Sequence, residues 1–268
     1  MEPLIKVEKL TKRYSRRHRD VSEAVPALDS VSFSIVQGTT FGVVGESGSG
    51  KTTLGLCLAC LERATSGNIW LNGREVTQLT EAEQRRVRPQ VQMVFQDPVS
   101  SLNPRWRVQE TVGEPLMIHR RCNQKQCRDR VVALLERVGL SADLCSRMAQ
   151  ELSGGQRQRL AIARALALEP KLLILDEALS ALDCSVQAHI ANFLMELQSS
   201  QGLTYLFITH DLAMAAYMAD EIAVLDRGRI SELGTAEQVL CDPQHEITKT
   251  LSAAMPRLSP TSLPSRER

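Results

Sequence analysis

The chain has 268 residues, 43% of them hydrophobic and 24% charged, a composition typical of one large α/β domain or of two smaller ones. The formal net charge of +1 gives no general electrostatic reason to expect binding to nucleic acid or to an acidic membrane, and no apolar run approaches the ~20 residues that span a bilayer. Seven scattered cysteines, an odd number, favour a reducing cytosolic setting over a disulfide framework. Work at a membrane is therefore expected from the cytosolic side, through a partner protein.

Hydrophobic patterning predicts strands that alternate with helices. In chain order, strands are expected at 4–10, 28–38, 39–45, 67–73, 91–97, 171–177, 204–211 and 221–230. Helices are expected at 51–61, 130–138, 152–166 and 185–198. Several strands are continuously apolar, as strands covered on both faces are, and their alternation with helices predicts a parallel sheet. Residues from about 98 to 165 read as helical, so a helical subdomain is expected to be inserted into that sheet.

Two other features are interpreted as structural rather than functional. Cys57 and Cys60 form a CxxC pair, but no second CxxC completes a zinc site and both residues lie in an apolar stretch, which favours core packing. The basic cluster at 16–19 is interpreted as a solvated loop.

The stretch GESGSGKT at 45–52 matches the pattern G-x-x-x-x-G-K-[ST] without a gap. It follows a predicted buried strand and precedes a predicted helix, which is the context that a phosphate-binding loop requires. Glycines let the backbone wrap a phosphate without Cβ clashes, and the N–H groups of the loop then form a nest for the anion. The residues expected around the phosphates are Gly45, Glu46, Ser47, Gly48, Ser49 and Gly50.

Three side chains that follow these glycines are expected to contact the phosphates and their metal ion. Lys51 would reach the β- and γ-phosphates, the Thr52 hydroxyl would ligate Mg²⁺, and Thr53 would hydrogen-bond another phosphate oxygen.

Polar side chains follow three further predicted strands, at the sheet edge where α/β proteins bind ligands. Asp176 is expected to hold Mg²⁺ through water, and Glu177 to polarise the water that attacks the γ-phosphate. Gln96 is expected to ligate Mg²⁺ or hold water, and His210 to bond the γ-phosphate or position water. The acidic pair has a structural alternative, in which it caps the next helix, and His210 taken alone would be structural. Their convergence on one edge favours a catalytic site.

A second phosphate-binding feature occurs in LSGGQRQRLAIARAL, at 152–166. Gly154 and Gly155 follow Ser153 at the start of the predicted helix, where a glycine costs about 1 kcal/mol of helix stability relative to alanine. Helix N-termini attract anions, so a start of this kind is explained if backbone N–H groups must approach a phosphate closely.

Six motifs, in order, resemble those of the ATP-binding subunits of ABC transporters along nearly the whole chain. They are the Walker A GESGSGKT (45–52), the Q-loop Gln96, the signature LSGGQ (152–156), the Walker B LLILDE (172–177), the D-loop SALD (180–183) and the switch histidine His210. The resemblance implies an α/β P-loop NTPase fold, with a RecA-like, mostly parallel sheet, a small antiparallel β subdomain and an inserted helical subdomain. It implies ATP hydrolysis with ATP and Mg²⁺ as cofactors. Tyr14 falls where an aromatic residue of the family stacks on adenine, with core packing as the alternative.

The resemblance also explains why one chain carries two phosphate-binding features. In the family, two ATP-binding domains associate head to tail, and each ATP lies between the Walker A of one domain and the signature of the other. The resemblance therefore assigns Ser153, Gly154, Gly155 and Gln156 to the partner's nucleotide, and places Asp183 of the D-loop at the nucleotide as well. The chain is expected to form a homodimer, or a heterodimer with a paralogous ATPase subunit.

A finer resemblance, carried by FQDPVSSLNPR at 95–105, is to the dipeptide, oligopeptide and nickel importers. It implies a peripheral place on the cytoplasmic face of the inner membrane, two integral membrane permease subunits, and an extracytoplasmic solute-binding protein that selects the cargo. HEITKTLSAAMP at 245–256 resembles the C-terminal HPYTKxLLxAxP of these importers but departs from it at Pro and Tyr. The ATP-binding domain is expected to cover 1–258, with a disordered tail at 259–268.

A second hypothesis stays open, in which the chain is the ATPase subunit of a soluble complex, such as a phosphonate-degrading assembly. Gene neighbourhood discriminates the two, because permease genes favour the importer and lyase genes favour the soluble complex. A nucleic-acid partner is not expected, since DNA-repair and translation ATPases of this type usually carry two cassettes or long coiled coils. A simple kinase or GTPase does not need LSGGQ.

Overall fold

The computed structural model describes residues 3–14, 25–96, 102–119, 122–180 and 182–253. The strands within these ranges are β1 Ile5–Lys12, β2 Leu28–Ile35, β3 Thr40–Val44, β4 Ser66–Leu71, β5 Arg74–Glu75, β6 Val91–Val94, β7 Leu172–Asp176, β8 Thr204–Thr209, β9 Glu221–Asp226 and β10 Arg229–Thr235. The helices are α1 Lys51–Leu58, α2 Glu81–Val87, α3 Val108–Ile118, α4 Gln124–Arg137, α5 Gly154–Leu166, α6 Cys184–Gln201, α7 Leu212–Met218, α8 Ala236–Cys241 and α9 Glu246–Ala253.

The larger of two sheets has the strand order β10-β9-β3-β8-β7-β6. Neighbouring strands are parallel except for β10, which pairs antiparallel with β9 at the edge. Every residue of β3, β7 and β8 is buried, which explains their continuously apolar sequences. A smaller antiparallel sheet has the order β2-β1-β4-β5. The predicted α/β fold, with a mostly parallel sheet and a separate antiparallel sheet, is confirmed.

The helical insertion lies between β6 and β7. It contains α3, α4 and α5, together with short 3-10 turns at 142–146 and 149–151. Val112, Leu135 and Leu160 from these three helices share one buried core with Leu173 and Phe207 of the large sheet. The helical insertion therefore packs on one face of the large sheet. Its expected limits, at about 98 and 165, stay a prediction.

The opposite face of the large sheet packs against α1 and the small sheet. Leu54 of α1 lies in the same buried core as Ile174 and Ile208. The rings of Phe33 and Phe41, one from each sheet, stack with centroids 4.8 Å apart. These contacts fix the small sheet beside the loop that follows β3.

Several predicted elements begin or end at other residues than expected, and two of these differences follow from backbone conformation. The expected strand at 221–230 is wrong as a single strand, because Arg227 and Gly228 have φ of +46° and +81° and turn the chain into the β9–β10 hairpin. The expected helix at 51–61 ends earlier, at Leu58, since Cys60 adopts a φ of +54°.

Cys57 and Cys60 are buried and unbridged, and burial raises the pKa of the Cys57 thiol to about 12. The core-packing interpretation of this pair is confirmed. The basic cluster at 16–19, residues 97–101 of the importer-like stretch and the expected tail at 259–268 lie outside the described residues.

Candidate functional site

The phosphate-binding loop joins β3 to α1, and its glycines are required by the backbone. Gly48 and Gly50 have φ of +80° and +108°, in the left-handed region that favours glycine. A Cβ atom on Gly45 would lie 2.2 Å from the carbonyl oxygen of Leu225. A Cβ on Gly50 would lie 2.2 Å from the carbonyl oxygen of Ala27. A side chain at Gly45 or Gly50 would therefore displace the neighbouring backbone and open the loop.

Lys51 begins α1, and its ammonium group is enclosed by the loop. Nζ donates hydrogen bonds to the carbonyl oxygens of Gly45 and Glu46, each at 2.8 Å. Burial lowers the pKa of Lys51, and the nearby carboxylates of Glu177 and Asp176 oppose that effect. A cation held within a loop of N–H groups suits an anion such as the β- and γ-phosphates of a nucleotide.

Thr52 and Asp176 meet at the base of the loop. The Thr52 hydroxyl donates to Oδ1 of Asp176 at 3.3 Å. Burial raises the pKa of Asp176, the Thr52 hydrogen bond lowers it, and the neighbouring Glu177 raises it further. Mg²⁺ at nucleotide sites takes one or two protein oxygen ligands and completes its shell with phosphate and water. A hydroxyl beside a buried carboxylate fits that requirement.

Glu177 is the residue on which the other catalytic candidates converge. Its Oε2 accepts a hydrogen bond from Gln96 Nε2 at 3.0 Å and lies 3.4 Å from His210 Nδ1. Glu177 also has a φ of +47°, a conformation that is strained for a residue with a side chain. Its N–H donates to the carbonyl of Ile208 at 2.8 Å, and the hydroxyl of Ser180 donates to its carbonyl at 2.9 Å. Hydrogen bonds to the N–H and to the carbonyl of Glu177 therefore hold its strained backbone, with the carboxylate at the edge of the sheet.

An open cavity of about 660 Å³ brings these groups together. The predicted residues that line it are Gly45, Glu46, Ser47, Gly48, Gly50, Lys51, Thr52, Thr53, Gln96, Glu177 and His210. Ser49 is buried within the loop, and Asp176 reaches the site through Thr52. Ala27 and Leu251 also line the cavity and were not predicted. Leu251 belongs to α9, a short helix that was not expected from the sequence.

Tyr14 lies beside the cavity rather than in the core. It is 45% exposed, so core packing, the alternative considered for it, is wrong. Its hydroxyl lies 3.5 Å from Oγ1 of Thr53, at the beginning of α1. The ring is thus accessible beside the phosphate-binding loop, and its stacking on a nucleobase stays a prediction.

Helix α5 begins at Gly154 because Ser153 caps it. Ser153 Oγ accepts a hydrogen bond from the N–H of Gln156 at 3.3 Å, and Gln156 Oε1 accepts one from the N–H of Ser153 at 3.0 Å. This capping box fixes the first turn of the helix and the direction of its free N–H groups.

The two glycines of that turn differ in their packing. A Cβ on Gly155 would lie 2.9 Å from Cγ1 of Val186 on α6, which is closer than real contacts allow. Among the described residues, the atom nearest to a Cβ on Gly154 would be Cδ2 of Leu182 at 3.6 Å, an ordinary contact. Packing against Val186 therefore explains why residue 155 must be glycine. Packing among the described residues does not explain why residue 154 is glycine.

The signature and D-loop residues do not share the cavity with the phosphate-binding loop. Among the described residues that line the cavity, none belongs to the turn at 153–156, and Asp183 is also absent. Asp183 instead caps α6, with Oδ1 accepting from the N–H of Val186 at 2.9 Å. One chain thus presents two separate features suited to phosphate. Within the described ranges, no helix is long and apolar enough to cross a membrane.

Comparison with known proteins agrees with this geometry. The family model described as ABC transporter matches residues 28–180. The chain is 45% identical over 238 residues to the dipeptide transport ATP-binding protein of Haemophilus influenzae, covering 89% of this chain and 73% of that protein. It is 47% identical over 237 residues to the oligopeptide transport ATP-binding protein of Streptococcus mutans, covering 88% and 77%.

A solved structure extends the comparison to the fold. The dimeric ATP-binding cassette MJ0796, in a post-hydrolysis state with ADP and phosphate, matches with a TM-score of 0.77 at 29% identity, over 87% of this chain and 98% of that one. The chain therefore belongs to the ABC transporter family and is one of its ATP-hydrolysing subunits.

Proposed function

We propose that this chain hydrolyses ATP to power the import of peptides through a membrane-bound permease. The observation that carries the proposal is the similarity, at 45% and 47% identity over most of the chain, to proteins named for dipeptide and oligopeptide transport. The soluble-complex hypothesis is not favoured, because these relatives are transport proteins. Nickel as a cargo remains a prediction from the sequence.

Each candidate in the cavity has one role in this proposal. Lys51 neutralises the β- and γ-phosphates, and Thr52 with Asp176 holds the Mg²⁺ that the nucleotide brings. Glu177 accepts a proton from the attacking water, while His210 orients the γ-phosphate. The hydrogen bond from Gln96 to Glu177, at 3.0 Å, supports a further role in which Gln96 keeps the carboxylate turned toward that water.

The signature turn acts on a different nucleotide, bound by a second ATPase subunit. Its separation from the cavity and the unexplained glycine at 154 both support this arrangement. The similar cassette MJ0796 is dimeric in a state that holds ADP and phosphate, which supports the pairing of two ATPase subunits. The second subunit is an identical copy or a paralogue. ATP joins the two subunits, and release of the hydrolysis products separates them, which gives two states that drive the permease.

A groove between the large sheet and the helical insertion is the proposed contact with the permease. It has a volume of about 290 Å³ and is lined by the exposed side chains of Leu61, Phe95 and Ile118, with Arg88 and His119 at the same surface. Exposed apolar side chains gathered in one groove are typical of a protein interface. A short cytosolic helix of one permease subunit would fill this groove, and a helix of the second permease subunit would fill the corresponding groove of the second ATPase subunit. The subunit would then lie on the cytoplasmic face of the inner membrane, and an extracytoplasmic solute-binding protein would deliver the cargo.

Affinity capture tests the proposal. The tagged chain is captured from detergent-solubilised native membranes and its partners are identified by mass spectrometry. We expect two multi-span permeases and an ATPase subunit, with the permeases lost when Phe95 or Ile118 is replaced by Asp. Leu233→Asp is the matched control, because Leu233 is also exposed but lies on β10, outside the groove. Capture of a soluble enzyme set without permeases would contradict the proposal.

A further inference from the structure

A largely covered ammonium group lies against the ring of Tyr14. Lys12 Nζ is 4.7 Å from the ring centroid, and the Lys12 side chain is only 12% exposed. The same Nζ donates to the carbonyl oxygen of Arg63 at 2.8 Å and pairs with Oε2 of Glu62 at 2.9 Å. Three contacts therefore hold this cation in one place, between the ring and the segment that joins α1 to β4.

The backbone around Lys12 is fixed as well. The N–H of Ala27 donates to the carbonyl of Lys12 at 2.8 Å, and the N–H of Arg13 donates to Oγ1 of Thr65 at 2.9 Å. These two hydrogen bonds fix the direction of the backbone where β1 ends. Tyr14 comes two residues after Lys12. The contact between the Tyr14 hydroxyl and Thr53 then sets the far end of the ring beside the phosphate-binding loop.

We propose that Lys12 is a positioning residue for the nucleobase, acting through Tyr14. The inference rests on the proposed role of Tyr14 as the platform for adenine. Because the ammonium lies over one face of the ring, the base would stack on the opposite face. The cation restrains a ring whose hydroxyl lies 3.5 Å from Oγ1 of Thr53, so that a base on the ring and phosphates in the loop can belong to one nucleotide.

This arrangement predicts a base-dependent effect on binding. A cation over an aromatic ring is attracted by the ring's quadrupole, and when it is lost the ring moves among several orientations. Replacing Lys12 by Met is expected to weaken ATP binding about 3- to 10-fold, in line with the strength of such contacts. Binding of inorganic tripolyphosphate, which has no base, is expected to stay within about twofold.

The experiment is calorimetric titration of the purified full-length chain with ATP and with tripolyphosphate. Lys12→Arg keeps a cation over the ring and is expected to bind ATP as the unmodified chain does. Lys6→Met is the matched control on the same strand, because Lys6 Nζ lies 5.4 Å from the ring centroid of Trp70. Should Lys12→Met lower the thermal midpoint, the double variant with Glu62→Gln removes the unpaired carboxylate and is titrated instead.

A double-mutant cycle with Tyr14→Ala decides whether Lys12 acts through the ring. We expect Lys12→Met to have no further effect on ATP binding once the ring is absent. Equal weakening of ATP and tripolyphosphate, or continued weakening without the ring, would overturn the inference. An unchanged ATP affinity in Tyr14→Ala would also overturn it, while leaving the import function intact, since that function is tested by partner capture.

Discussion

The substitution Gly154→Ala separates the stability of the signature turn from its function. The added methyl would sit 3.6 Å from Leu182 Cδ2, an ordinary contact, so the chain itself has room for it. Alanine favours a helix by up to about 1 kcal/mol over glycine, and by about half of that in a first turn. The variant is therefore expected to be as stable as the unmodified chain, or to unfold about 1–2 °C higher.

Hydrolysis is expected to change in the opposite direction. If the N–H groups of this turn approach the partner's γ-phosphate, the methyl separates them from it. ATPase activity of the purified complex with its permeases should then fall at least tenfold in a homodimer. It should fall about twofold or more in a heterodimer, where one signature stays intact. Because the phosphate-binding loop is untouched, the Kd of the isolated chain for ATP should stay within about twofold.

Gly155→Ala is the control for packing. Its methyl would lie 2.9 Å from Val186 Cγ1, and overpacking of this kind destabilises by about 1–3 kcal/mol. Thermal unfolding of both variants and ATPase assays of their complexes complete the comparison. Normal hydrolysis by stable Gly154→Ala would refute the composite site. Destabilised Gly154→Ala would refute the reasoning from packing.

Three further substitutions test the remaining roles. Glu177→Gln should bind ATP with an unchanged Kd yet lose hydrolysis, and sedimentation with ATP should find it retained in a dimer; a fully active variant would remove Glu177 from its proposed role. Lys51→Ala should raise the Kd for ATP about 100-fold in titration calorimetry, because the charge-assisted hydrogen bonds to phosphate are lost. The variant should still fold, because the substitution also removes the buried charge. Glu232 accepts hydrogen bonds from the N–H groups of Gln244 and His245, which precede α9. Glu232→Gln should therefore lower the free energy of unfolding, measured with urea at pH 7, by about 1 kcal/mol.

The effect of Glu232 should depend on pH in a defined direction. Burial alone would raise the pKa of Glu232, but hydrogen bonds to its carboxylate, among them those from the N–H groups of Gln244 and His245, outweigh it and lower that pKa. A lowered pKa in the folded state contributes stability above the unfolded value, near pH 4.3, and that contribution is lost as the pH falls below it. The difference between Glu232→Gln and the unmodified chain should thus shrink in acid. Glu237→Gln, an exposed change on α8, is the control.

The site was largely predictable because its parts are local in sequence. A glycine-rich loop, a buried strand and the polar residue at its end occupy a few consecutive positions, and parallel strands carry those ends to one edge. Gln96, Glu177 and His210 follow three different strands, yet Gln96 Nε2 and His210 Nδ1 lie 3.0 Å and 3.4 Å from the same oxygen, Oε2 of Glu177.

The features that were missed depend on long-range contacts or on backbone conformation. The turn at Arg227 reads as the continuation of a strand until both of its central φ angles are known. The need for glycine at 155 comes from Val186, on another helix. The cation against Tyr14 is two residues away in sequence, but Glu62 and Arg63, which hold it, come from a segment fifty residues later. Pattern alone does not reveal such partners.

The most direct test of the central claim is uptake by living cells. A strain that lacks this gene is complemented with the unmodified chain, with Lys51→Ala or with Gly154→Ala, and the entry of labelled di- and oligopeptides is measured. The account predicts that the unmodified chain alone restores full uptake, that Lys51→Ala restores none, and that Gly154→Ala restores clearly less than the unmodified chain although it is stably folded. Peptide uptake that is independent of the gene, or is fully restored by Lys51→Ala, would contradict the claim that ATP hydrolysis by this chain drives peptide import.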